Sequence, residues 1–122
     1  MGGWATLDSA ANAEAIATYN VAAAFANHPM SNVEAISMCE EWFMCYEIDI
    51  PIIPTFVATG SMEEIMSPEG VKADFDRIDL EGSAKGSVFA NLVGANHYEP
   101  MMPESAWTPY QVYFFNCWIK EQ

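Results

Sequence analysis

The feature that most constrains the fold is an alternation of strand-type and helix-type segments along the chain. Three short apolar runs have strand character: Val21–Ala26, TFVATG at 55–60 and SVFANLVG at 87–94. The second run is the clearest, because β-branched and aromatic residues are followed by Gly60. The order helix, strand, helix, strand, helix, strand, helix predicts an α/β fold, a sandwich of about three parallel strands alternating with four helices.

Capping and composition signals predict the first three helices. Residues 4–18 are rich in Ala and contain no Gly or Pro, which favours one continuous helix. Residues 33–46 form a second helix-type segment. Ser67 is a good N-cap for the third helix, with Pro68 at the first helical position.

The last helix is predicted to begin at Ser105 or Thr108 and to run toward the end of the chain. Apolar side chains recur in it with helical spacing, which predicts a stripe buried against the core. The stripe consists of Tyr110, Tyr113, Phe114, Cys117 and Trp118.

Composition restricts the partners of the chain. The 122 residues suit a single domain, 1–122, and 52% of them are hydrophobic, which is ample for a core. Seventeen acidic residues against four basic ones give a formal charge of −13. Such a field repels phosphates, so neither nucleic acid nor an anionic membrane surface is an expected partner. No run approaches 18 apolar residues, so no membrane span is predicted. The compartment stays open, with secretion as one outcome if translation begins upstream.

The three cysteines, Cys39, Cys45 and Cys117, follow no zinc-binding pattern. Buried thiols are the default expectation, because a free Cys behaves as a small hydrophobic residue. One disulfide with a leftover thiol is the alternative, and it would indicate secretion.

Polar residues with catalytic potential follow the ends of the three predicted strands. They are His28, then the pair Glu63-Glu64, then His97. In parallel sheets functional residues gather at the carboxyl ends of strands. An acid that binds one imidazole nitrogen prepares the other nitrogen as a general base. No metal site and no cofactor are predicted, since the histidines and nearby acids show no recognised ligand spacing.

Four motifs carry a resemblance to a known family. The chain begins MGGWATL, and further on come NVAAAFANHP, IPTFVATGSMEEIMSP and FANLVGANHYEP. In this order they resemble the C-terminal half of an α/β-hydrolase, in the dienelactone-hydrolase, lipase and polyester-hydrolase-like branch. There the nucleophile elbow commonly reads Gly-x-Ser-Met-Gly-Gly, so MGG is similar to the residues directly after the serine. The final aromatic helix is similar to the closing helix of the family.

The resemblance implies a role for individual residues. His97 matches the catalytic histidine, Glu63 the triad acid and Glu64 an alternative acid, in the fold's order of serine, acid, histidine. Met1 matches the residue whose backbone amide contributes to the oxyanion hole. Trp4 and His28 are candidates for lining the substrate cleft, with a purely structural role as the alternative for each.

The predicted function is therefore that of the C-terminal portion of a serine ester hydrolase, carboxylesterase-like or lipase-like. The full-length enzyme would act on a small-molecule or polymeric ester. The chain holds no Gly-x-Ser-x-Gly motif, so we expect these residues alone to be inactive. The alternative is a non-catalytic half-fold interaction protein, because three parallel strands leave the first strand with an open edge. That edge predicts a partner chain or self-association.

Overall fold

The computed structural model describes residues 2–42 and 49–119. A 3-10 turn, Glu99–Met101, lies between the last strand and the last helix. The elements follow in this order: α1 Gly2–Ala11, α2 Ala13–Tyr19, β1 Ala24–Asn27, α3 Asn32–Trp42, β2 Thr55–Gly60, α4 Pro68–Phe75, β3 Val88–Leu92 and α5 Thr108–Ile119.

The three strands form one parallel sheet in the order β1-β2-β3. Every residue of β2 is buried, as expected for a central strand with both faces covered. In register, Asn27 at the end of β1 faces Ala58, and Leu92 at the end of β3 faces Gly60. The carboxyl ends of all three strands therefore meet at one edge of the sheet. The predicted α/β class and parallel sheet are confirmed.

The two faces of the sheet carry different cores. The aliphatic core packs α1, α3 and α4 on one face through residues that include Leu7, Ala26, Val57 and Val71. The aromatic core packs α5 and the residues before it on the other face; it comprises Phe25, Phe56, Trp107 and Phe114. Alternate residues of each strand supply the two faces, which is the period of two of extended chain.

The segment 4–18, predicted as one helix, is divided at Asn12. The side chain of Asn12 accepts a hydrogen bond from the Ala15 amide at 2.9 Å and caps α2. Asn is among the best N-cap residues because its oxygen satisfies a free amide of the first turn. The Ala-rich composition predicted helix correctly and missed this interruption.

The predicted start of α4 is confirmed. Ser67 Oγ accepts from the Gly70 amide at 3.1 Å, and Pro68 is the first helical residue. A capping box that the sequence did not lead us to predict starts α3: the Ser31 amide donates to Glu34 Oε2 at 2.7 Å, and the Glu34 amide donates to Ser31 Oγ at 3.4 Å.

The buried side of α5 differs from the predicted stripe. Tyr110 and Tyr113 are exposed at 49% and 75%, and Cys117 is exposed as well, whereas Phe114 is buried. The buried stripe runs instead from Trp107 through Phe114 and includes the partly buried Trp118. Trp107, which precedes the helix, packs edge-on against both Phe25 and Phe56 and so begins the buried stripe one residue before α5.

Within residues 2–42 and 49–119 no helix is long and apolar enough to cross a membrane.

Cys39 is disulfide-bonded and Cys117 is a free, exposed thiol, so the expectation of buried thiols is wrong for both. Cys45 lies outside the described residues.

Candidate functional site

Three polar side chains from three strand ends meet at the carboxyl edge of the sheet. His28 directly follows β1, Glu63 lies three residues after β2, and His97 lies in the loop after β3. Glu63 Oε1 and Oε2 each lie 3.0 Å from His97 Nδ1. Glu63 Oε2 also contacts His28 Nδ1. These three residues are called the carboxyl-end cluster below.

Backbone hydrogen bonds hold the loop after β2 against the loop after β3. The Ser61 amide donates to the Leu92 carbonyl at 3.0 Å, and the Met62 amide donates to the Ala95 carbonyl at 2.9 Å. A Cβ on Gly60 would lie 2.7 Å from the Ala95 carbonyl carbon, so only glycine allows this approach. The two loops therefore position Glu63 and His97 relative to each other through their backbones.

Glu63 is a buried carboxylate with several donors. Its side chain has 0% exposure. Oε1 accepts from the amides of Ile65 and Met66 at 2.8 and 3.2 Å. Burial alone would raise the pKa of this carboxyl, but the two amides and His97 outweigh burial and lower the pKa below its ordinary value. Glu63 is therefore a charged carboxylate at neutral pH.

His28 is the most buried member of the cluster, with 4% of the residue exposed. Its backbone has a φ of 42°, in the left-handed region that few non-glycine residues adopt. The His28 amide still donates to the Ala58 carbonyl at 2.8 Å, which continues the sheet pairing by one residue. Neither ring nitrogen has a partner in hydrogen-bond geometry, although Nδ1 touches Glu63. Burial lowers the pKa of His28, and the attraction of Glu63 offsets this only in part.

His97 is the accessible imidazole of the cluster. Its side chain is 25% exposed, and its Nδ1 faces Glu63. Its ring packs edge-on against Tyr98, with centroids 5.7 Å apart, and lies 5.4 Å from the ring of His28. With Nδ1 engaged by a carboxylate, Nε2 is the nitrogen left to accept a proton.

A cavity of about 370 Å³ adjoins both imidazoles. The first turn of α1 forms one wall of it. A Cβ on Gly3 would lie 2.9 Å from the Pro29 Cα, so α1 approaches the end of β1 more closely than a larger residue would permit. The lining residues are Gly2, Gly3, Thr6, Phe25, Asn27, His28, His97, Pro100 and Met101.

The structure separates the other residues named from the sequence. Glu64 is exposed and borders a second pocket, which His97 and Tyr98 also line, whereas Glu63 contacts both histidines directly. Trp4 packs against the aliphatic core and is not among the residues that line the 370 Å³ cavity, whereas His28 is. Met1, assigned to the oxyanion position by resemblance, lies outside the described residues.

Two cavity residues were missed by the sequence reading. Asn27 is the last residue of β1, and its Oδ1 is buried without a hydrogen-bond partner. Thr6 lies on α1, one turn from its start. A polar residue at the carboxyl end of a parallel strand was a usable signal for Asn27, while Thr6 depends on the angle of α1, which no local pattern reveals.

Comparison with protein-family models, with curated proteins and with solved structures finds no match to this chain. The family resemblance therefore depends on the quoted motifs alone.

Proposed function

We propose that this chain is the acid- and histidine-bearing portion of a serine ester hydrolase, with Glu63 as the acid and His97 as the general base. The observation that carries the proposal is the contact of the buried Glu63 carboxylate with His97 Nδ1, at 3.0 Å from both carboxylate oxygens. A carboxylate on Nδ1 holds the imidazole in the tautomer whose Nε2 accepts a proton, and it stabilises the imidazolium that results.

The cavity next to His97 supports the proposal. It is bounded by the first turn of α1, where the amides of a helix have no partners within the helix. Such amides, with the helix dipole, favour negative charge, which is what the oxyanion of an ester-hydrolysis intermediate carries. The resemblance would put the nucleophilic serine directly before Met1 in a longer polypeptide. Its attack on an ester carbonyl would transfer its proton to His97.

The substrate class is an ester of small or moderate size, or one ester unit of a polymer. The cavity walls are mixed, with Phe25 and Met101 as apolar surfaces and Asn27 and Thr6 as hydrogen-bonding groups. Ligand sites commonly combine apolar walls with a few polar groups in this way.

The test is the polypeptide encoded when the transcript is read upstream of Met1. We expect an in-frame Gly-x-Ser directly before Met1 and hydrolysis of short p-nitrophenyl esters by the longer product. His97→Ala and Glu63→Ala should each lower kcat/KM, on the order of 10³-fold. Glu64→Ala is the matched control and should leave the rate unchanged. Unchanged activity in His97→Ala, or an in-frame stop codon directly before Met1, would contradict the proposal.

A second candidate function is a non-catalytic interaction module that uses the free edge of β1. In the described residues β1 pairs on one side only, with β2. A groove of about 440 Å³ follows this edge between α1 and α5; Ala5, Ser9, Val21, Ala23 and Phe115 contribute to it. An unpaired strand beside an apolar groove favours addition of another strand.

Light scattering discriminates the second candidate. An interaction module should associate with itself or with a partner, and Ser9→Lys in the groove should weaken the association. Val33→Lys, at a position 70% exposed on α3 and outside the groove, is the matched control. A monomer at all concentrations, with cooperative unfolding and no partner, would exclude this candidate.

A further inference from the structure

We propose that His28, Glu63 and His97 form a binding site for a divalent transition-metal ion such as Zn²⁺. Metal binding here uses residues of the proposed triad but requires neither the serine nor the oxyanion amides. Two imidazoles and one carboxylate are a ligand set that zinc and its neighbours accept.

The distances fit such an ion. One ligand atom from each residue lies within 4.8 Å of those from the other two. Ligand atoms on a tetrahedral zinc are about 3.3 Å apart, given bonds of about 2.0–2.2 Å. His97 Nδ1 lies 3.0 Å from Glu63 Oε2, and His28 Nδ1 contacts the same oxygen, so small side-chain shifts would admit an ion among the three.

The burial of His28 is an independent observation that points to a ligand at this site. The residue is 96% buried, since 4% is exposed, and neither of its ring nitrogens has a hydrogen-bond partner. A buried polar atom without a partner is destabilising, because its lost hydration is not replaced. Nε2 is buried with no partner among the described residues, and Nδ1 contacts Glu63 Oε2 without meeting hydrogen-bond geometry. A metal ion between the two would convert this poor contact into two coordinate bonds.

The charge balance points the same way. Glu63 carries a fully buried negative charge, and its ion-pair partners among the described residues are the two histidines. Lys72 and Arg77 pair with other acids. Buried charges in proteins are paired or bind metals. A divalent cation would compensate Glu63 without requiring either histidine to be protonated.

Metal binding and the triad arrangement exclude each other. The Nδ1 of His97 cannot ligate an ion while it donates a proton to Glu63. A bound ion would therefore remove His97 from the role assigned to it above. For this reason the metal test uses the present chain with no ester, and its result stands apart from that of the hydrolase test.

The experiment is titration of the metal-free chain with Zn²⁺ alone, followed by calorimetry, and with Co²⁺, followed by visible absorption. We expect one ion per chain and the intense visible bands of four-coordinate Co²⁺. His28→Ala and His97→Ala should each weaken binding roughly 100-fold or more, because even outer-shell changes cost 10–100-fold. Glu64→Gln, which removes an adjacent exposed carboxylate, is the matched control and should bind like the parent.

The same titration can overturn the proposal. With a formal charge of −13, exposed acids will bind cations weakly, and that binding should be equal in all variants and similar for Mg²⁺. Equal Zn²⁺ affinity in the parent and in His97→Ala would assign the binding to those acids. Absence of binding at millimolar Zn²⁺ would also refute the site. If circular dichroism shows that His28→Ala is unfolded, the partly exposed His97→Ala decides the result.

Discussion

The carboxyl-end cluster and the aromatic core belong to the same sheet, yet their buried side chains differ in whether they find partners. In the aromatic core the Phe25 and Phe56 rings stack at 4.6 Å, and Trp107 meets Phe56 edge-on at 6.1 Å. In the cluster, His28 is buried with both ring nitrogens outside hydrogen-bond geometry. The core thus stabilises the fold by filling space, whereas the cluster keeps buried polar atoms that need a proton, a substrate or an ion. Stability therefore comes from the faces of the sheet, whereas the polar groups with chemical potential gather at its carboxyl edge.

The largest expected effect is the loss of stability when the aromatic core is disrupted. Trp107 is 1% exposed, so Trp107→Ala should lower the free energy of unfolding by about 3–5 kcal/mol. Tyr110→Ala removes a ring that touches Trp107 but is 49% exposed, and it should cost far less. Urea unfolding measures both. Equal losses in the two variants would mean that Trp107 is not the centre of the core.

A smaller loss of stability is expected on the cluster side. Glu63→Gln keeps the shape but removes the charge that accepts from two amides and faces two histidines, so it should cost about 1–3 kcal/mol. Glu64→Gln alters the same charge at an exposed position and should be neutral. The comparison uses metal-free protein. A stabilising effect of Glu63→Gln would show that the buried negative charge lowers the free energy of unfolding of the metal-free protein.

Gly3 tests how closely α1 must approach the cluster. Gly3→Ala places a methyl group 2.9 Å from the Pro29 Cα and should cost about 1–3 kcal/mol as α1 shifts. A Cβ on Gly2 meets nothing within 4 Å, so Gly2→Ala is the matched control. Thermal unfolding of the two variants gives the difference. Equal melting temperatures would contradict the close helix–strand contact.

The smallest expected effect is a pH dependence that belongs to the cluster and not to the core. The pKa of His28 is lowered on folding, so the unfolded chain binds the proton more tightly. The contribution of His28 to the free energy of unfolding should therefore be fully present above the ordinary pKa of 6.5 and should decrease as the pH drops below it. The lowered pKa of Glu63 adds a second loss that begins only below about pH 4.5.

Urea midpoints for metal-free protein at pH 7.5 and 5.5 measure the histidine part. In His28→Gln the difference between these midpoints should shrink, while in Tyr110→Ala it should persist. A midpoint that rises on acidification to pH 5.5 would contradict the lowered pKa of His28.

The sequence predicted the parts of the fold that depend on local pattern. Apolar runs ended by small or polar residues placed β2 correctly, and Ser67 with Pro68 placed the start of α4. The runs ended β1 one residue early, at Ala26 and not Asn27, and β3 two residues late, at Gly94 and not Leu92. Parallel order then brought His28, Glu63 and His97 to one edge, which is why their proximity could be expected. These inferences needed only the periods of strands and the chemistry of helix caps.

The features that the sequence did not predict depend on the direction of individual side chains and on local backbone conformation. Glu63 turns inward because its own amide donates to Gly60 and its carboxylate accepts from Ile65 and Met66, and no pattern distinguishes it from Glu64 in advance. The His28 backbone is left-handed, a conformation that few non-glycine residues adopt and that no local sequence pattern indicated at this position. The first helix divides at Asn12 because the preference of Asn for the N-cap position outweighs the helix propensity of the Ala-rich segment. Composition alone does not show which of these two effects is stronger.

The sheet order has a consequence for crowded solutions. In the described part of the chain β1 and β3 each pair on one side only, and they run in the same direction. The outer side of β3 in one copy could therefore meet the outer side of β1 in the next with the same parallel polarity. Such a head-to-tail contact does not close on itself and extends as a row. With a formal charge of −13 on each copy, repulsion opposes the first step at low ionic strength, and added salt screens it. Ionic strength would then act as a control on the length of the row.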